Sequence, residues 1–103
     1  MKVFISADIE GVNNILAWDE TDAKCPEYAY FRKQMTEEVN AACLGAKDAG
    51  ADEILIKDAH DWARNLILKD LPEFIKLHRG WEGVPCSMMA GLDKSFDAVV
   101  FIG

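Results

Sequence analysis

Two short pairs of residues in this 103-residue chain have types and a spacing that suit chemistry: Asp8 with Glu10, and Asp58 with His60. In extended backbone, residues at i and i+2 present their side chains on the same side. Two carboxylates held that close repel each other unless a cation or a proton intervenes. Two or three carboxylates with an imidazole form a mixed oxygen and nitrogen donor set. Such a set suits zinc, and also manganese or iron, better than calcium, which prefers oxygen alone. Gly11, directly after Glu10, permits a tight turn or a close backbone approach.

The pairs can meet only if the elements before them are neighbours. Val3–Ala7 reads as a strand buried on both faces, and Ile54–Ile56 as a second, each running directly into one of the pairs. Neighbouring parallel strands lie about 4.8 Å apart, close enough for both pairs to converge beyond one sheet edge. From Asp8 to Pro26 the pattern is irregular and reads as a long loop, a length that in compact domains is usually functional or mobile. Pro26 suits the first turn of a helix. Tyr28, Phe31, Met35, Val39, Ala42, Cys43 and Ala46 then recur at helical spacing, and Gly50 stands where a left-handed terminating residue belongs.

Residues 61–73 read as a partial helix or packed loop, and Ile75–Leu77 as a short third strand ended by Gly80. Pro85–Leu92 reads as a brief helix with Met88, Met89 and Leu92 facing inward, and Ala98–Ile102 as a last, buried strand. The order predicts one α/β domain over residues 1–103, a mainly parallel sheet with flanking helices. Ligand sites in such sheets lie just outside the carboxyl ends of the strands. The chain stops at Gly103, where a site-forming loop would begin, and is therefore expected to be the N-terminal part of a larger α/β domain.

Composition works mainly by exclusion. Eighteen acidic against eleven basic residues give a net charge of −7, half the residues are apolar and 28% are charged, the balance of a soluble globular domain. A nucleic-acid footprint needs clustered Lys and Arg, and an anionic membrane surface the same, so neither partner is expected. No apolar stretch approaches the roughly 20 residues of a membrane span, and the N-terminus lacks the apolar core of a secretory signal. Cys25, Cys43 and Cys86 form no C-x-x-C pair and read as reduced thiols, which fits the cytoplasm.

The other reactive types have plainer roles. His78 is expected to face solvent or pack at a sheet edge, and Trp18, Trp62 and Trp81 to lie over the core or a subunit contact. Glu37 and Glu38 read as a solvated helix face. Ser6, Ser87 and Ser95 have no G-x-S-x-G context, so a serine nucleophile is not supported.

Ile5-Ser6-Ala7-Asp8-Ile9-Glu10-Gly11-Val12 resembles the opening motif of the zinc-dependent D-aminopeptidases, the peptidases associated with dipeptide-transport operons. Trp18–Thr21, Met35–Ala42, Lys57-Asp58-Ala59-His60, Ser87–Leu92 and Phe101-Ile102-Gly103 resemble the same family, in order along the whole chain. The sequence departs from the family at Asn13-Asn14, where a small residue followed by Gly is usual, although Asn tolerates left-handed backbone. The resemblance implies two zinc ions at the carboxyl edge of the sheet. By position Asp8 would bridge both, Glu10 would bind one and His60 the other, with Asp58 in a supporting role that orients His60 or a metal-bound water. A further His, a Glu and a catalytic His lie downstream in the family, so no catalytic residue is expected within this chain.

The implied activity is removal of N-terminal residues, D-amino acids among them, from short peptides by a large homo-oligomer. Two other classes compete with it. In a receiver-like signalling module Asp58 would be the phospho-acceptor, although the usual late-strand Lys is missing. In an assembly fragment the site would be catalytically incomplete.

Overall fold

The computed structural model describes residues 1–103. Four strands form one sheet: β1 (Lys2–Ala7), β2 (Glu53–Asp58), β3 (Lys76–His78) and β4 (Ala98–Ile102), in the spatial order β3-β2-β1-β4. Every pairing is parallel, so the expected mainly parallel sheet is entirely so. One α-helix, α1 (Tyr28–Asp48), supplies the long crossover between β1 and β2 that parallel strands require. It ends as its pattern predicts, with Gly50 at φ +98° just beyond the cap. Its first helical residue is Tyr28 rather than Pro26, because turn bonds from Tyr28 to Cys25 and from Tyr30 to Glu27 precede the regular ladder.

The apolar stripe of α1 lies on one face of the sheet. Phe31, Met35, Val39 and Cys43 pack against Val3, Ile5 and Ala7 of β1 and Ile54 and Ile56 of β2. Alternate residues point to the other face. There Phe4 is fully buried, its ring edge-on to Phe96 at 5.5 Å between centroids. No helix is long and apolar enough to cross a membrane.

Two expectations change, and between them one open alternative is decided. The segment from Pro85 to Leu92 forms only a 3-10 turn at Ser87–Met89, with Ser87 at φ +46°. A turn that short cannot present one face inward, so Met88 is exposed, Met89 is only partly covered and Ala90 is the buried residue. Residues 61–73 are a packed loop with a 3-10 turn at Leu68–Asp70, anchored by buried Asn65 and Leu66. The last strand is not buried on both faces. It is a sheet edge whose Ala98, Val100 and Ile102 join the core while Val99 and Phe101 face outward.

Candidate metal centre

The chain lays β2 and then β3 on one side of β1, and returns to place β4 on the other. That reversal is a topological switch point, where a crevice opens at the carboxyl ends of the strands. Register levels those ends: Ala7 of β1 pairs with Asp58 of β2 and with Ile102 of β4. Pairing continues one step further, since Asp8 N–H donates to the Ile102 carbonyl and Ala59 N–H to the Ala7 carbonyl, both at 2.8 Å. The ladder thus delivers Asp8 and His60 to the same place.

Extended backbone does not persist to Glu10. The chain turns after Asp8, closed by a bond from Val12 N–H to the Ile9 carbonyl. Glu10 returns toward Asp8 through this turn, so that both carboxylates face the same His60 ring nitrogen. The turn is tight against the chain beyond β4. A methyl group on Gly11 would come within 2.6 Å of the Gly103 carbonyl carbon, and one on Gly103 within 2.1 Å of the Asp8 carbonyl oxygen. Both positions therefore need a hydrogen for a side chain.

His60 is buried, and its two ring nitrogens have separate partners. Nε2 donates to the Thr21 carbonyl at 2.8 Å, while Nδ1 faces Asp8 Oδ1 at 3.2 Å and Glu10 Oε1 at 3.3 Å. The carbonyl cannot donate, so Nε2 carries a proton and Nδ1 is the nitrogen free for a third party. Burial alone would lower the imidazole's pKa. The Asp8 hydrogen bond, the Thr21 carbonyl and the charges of Glu10 and Asp8 outweigh it and raise the pKa to about 9. Burial also opposes ionisation of Asp8, but hydrogen bonds from His60, Glu10 and the Ile9 N–H hold its carboxyl below the usual range. Burial and the neighbouring Asp8 push Glu10 upward.

The three donors fit zinc. One ligand atom from each of Asp8, Glu10 and His60 lies within 4.8 Å of the others. Tetrahedral bonds of 2.0–2.1 Å set ligand atoms about 3.3 Å apart, which is the spacing from Nδ1 to each carboxylate. A cation there would replace the shared protons that now keep two carboxylates and an imidazole together. The cluster opens into a cavity of 640 Å³ that Trp18, Thr21, Trp62 and Met88 also line. Trp18 and Trp62, expected over the core or a subunit contact, are not core residues but exposed walls of this cavity. Trp81 instead covers buried Lys57, whose Nζ lies 4.3 Å from its ring centroid.

Asp58 does not touch the His60 ring. Its carboxylate is fully buried and accepts from Asn65 N–H at 2.7 Å, Leu66 N–H at 2.8 Å and Asn65 Nδ2 at 2.9 Å. A carboxylate with both oxygens engaged and no exposed surface cannot take a phosphoryl group, which removes the receiver-like reading. Asn65 was not singled out from the sequence, yet it ties the site together. It also donates to the His60 carbonyl and accepts from Tyr28 Oη, while its own carbonyl takes Arg32 Nε. The one signal for it was a polar residue directly before the apolar run Leu66–Leu68. His78 stays outside the cluster, at the β3 edge as expected, held by the Ala90 carbonyl and Glu82.

Residues 1–103 match the family described as D-aminopeptidase, peptidase M55. A D-aminopeptidase of Bacillus subtilis (strain 168) is 33% identical over all 103 residues, which cover 37% of that protein. A solved structure of DppA from Bacillus subtilis, described as a Zn-dependent D-aminopeptidase and a self-compartmentalizing protease, superposes with a TM-score of 0.94 at 33% identity. All of this chain and 37% of that one are covered. The chain therefore spans little more than a third of the length of these relatives.

Proposed function

The chain belongs to the D-aminopeptidase family, peptidase M55, and from that membership we propose that it is the N-terminal part of a binuclear zinc aminopeptidase acting on short peptides. The observation that carries this reading is the convergence of Asp8, Glu10 and His60 at the carboxyl edge of β1 and β2. In the proposed site Asp8 would serve both metals, Glu10 would hold one and His60, through Nδ1, would hold the other. Zinc bound there would supply a Lewis acid that polarises a carbonyl and lowers the pKa of water.

The protein's own groups do the positioning. Thr21 fixes the His60 tautomer through Nε2. Asp58 acts through Asn65, which holds the His60 backbone. Trp18, Trp62 and Met88 wall the cavity in which a peptide would lie. The further ligands and the proton-transferring histidine would come from the downstream part of the protein. Cytoplasmic location, preference for an N-terminal D-residue and assembly into a large homo-oligomer complete the proposal. The relative described as self-compartmentalizing supports the last point.

Zinc stoichiometry tests the assignment. Protein equilibrated with zinc and desalted should retain metal, and the Asp8→Asn, His60→Ala double variant should retain little. Unchanged stoichiometry in that variant would refute it.

A further inference from the structure

The chain contains three arginines, Arg32, Arg64 and Arg79. They come from α1, the loop after β2 and the end of β3, yet all three line one cavity of 550 Å³. In a chain of net charge −7 none of them is ion-paired: the contacts of Asp and Glu with cationic groups all go to lysine, histidine or the N-terminus. Asp61 is the single acid on the wall, which leaves three positive groups against one negative.

Arg32 is held in place from behind. Its Nε donates to the Asn65 carbonyl at 2.7 Å, and its guanidinium lies over the Tyr28 ring at 5.9 Å. That bond leaves the two terminal nitrogens without a protein acceptor. A guanidinium fork of this kind matches a carboxylate in plane. The Asn65 that orients Arg32 also holds the His60 backbone. The arginine cavity and the metal-site cavity are contiguous, since Ala23, Asp61 and Trp62 line both. An extended dipeptide spans about 7 Å and a tripeptide about 10 Å, the length that a short substrate would lay along this shared wall.

We propose that Arg32, Arg64 and Arg79 form a subsite for the C-terminal carboxylate of a short peptide whose amino end lies at the Asp8–Glu10–His60 cluster. The assignment rests on the peptide-hydrolysis reading and sharpens it. It makes the substrate a short peptide with a free carboxyl end, because an internal segment of a longer chain brings no charge to three arginines. The same fork chemistry would accept a phosphate, but the shared wall with the metal cavity favours the peptide terminus.

The test is a titration of metal-free protein, followed at the arginine Nε–H signals by NMR. The probe is N-acetyl-alanyl-alanine, whose blocked amine keeps it from depending on the metal site, and the control is its C-terminal amide. The carboxylate should bind at least tenfold tighter than the amide. The Arg64→Gln, Arg79→Gln double variant, which alters two exposed side chains, should reduce it to the level of the amide. The corresponding double lysine variant should recover part of the difference, as charge returns without the fork.

Equal binding of acid and amide would overturn the subsite. So would an unaffected glutamine variant, or inorganic phosphate binding tighter than the peptide acid. A change of sedimenting mass in that variant with unaltered titration would assign the arginines to an interface instead. Asp8→Asn should leave the titration intact, so loss of zinc binding and loss of this subsite are read separately.

Discussion

At the scale of single residues, His60 sets how the site answers to pH. Its folded pKa of about 9 exceeds the ordinary 6.5. The stabilisation it gives the metal-free protein is therefore complete below 6.5 and is lost as pH rises through 9. Glu10, shifted upward, acts in the same sense. Asp8, shifted downward, contributes above its ordinary 3.8 and loses that contribution as pH falls. Thermal melts of metal-free protein should be highest between these limits, and a melt still rising from pH 7 to 9 would contradict the pairing. Zinc must displace the His60 proton. At pH 7, loading should release at least one proton per site, measured by calorimetry in buffers of different ionisation enthalpy. Cys43 offers a control remote from the site. Burial pushes its thiol up to about 11, so at pH 8 a native-state alkylating reagent should label exposed Cys86 and spare Cys43 until the protein unfolds.

Among the elements, the loop after β2 carries more of the site than its irregular pattern suggests. Asn65→Ala would leave the buried Asp58 carboxylate short of a donor and free the His60 carbonyl and Arg32. We expect a loss of about 2–4 kcal/mol in urea unfolding and a roughly 10–100-fold fall in zinc affinity. Met35→Ala separates packing from positioning. It should cost about 2–5 kcal/mol from the core under α1 and leave zinc affinity unchanged. The apolar periods of β1, α1 and β2 were legible because they are local: alternation and helical spacing follow from backbone geometry alone. The fate of residues 61–73 and 85–92 was not. Their hydrogen bonds go to distant partners, such as Asp58 with Leu66 and Ser6 with the Met88 carbonyl.

For the whole molecule, the site joins parts of the chain that are far apart in sequence. Asp8 and Glu10 follow β1, Thr21 comes from the long loop, and His60 follows β2. Metal that binds only the folded arrangement raises its stability by mass action, about 2.7 kcal/mol at a free concentration one hundred times the dissociation constant. Chelator should remove this gain from the wild type and have no effect on the Asp8→Asn, His60→Ala variant, as followed by thermal melts. An equal response in both would place the metal elsewhere.

The sequence by itself determined the strand and helix periods, the parallel α/β class and the two pairs of residues that follow β1 and β2. These depend on side-chain type and short spacing, which a linear reading contains. Tertiary structure decided the strand order that puts β1 between β2 and β4, and with it the meeting of Asp8, Glu10 and His60. It decided which His60 nitrogen is free, because the Thr21 carbonyl lies 39 residues away along the chain. It put Asn65 between Asp58 and the His60 backbone, and gathered three scattered arginines around one cavity. Such choices rest on contacts between distant segments, whose partners exist only once the chain has closed on itself.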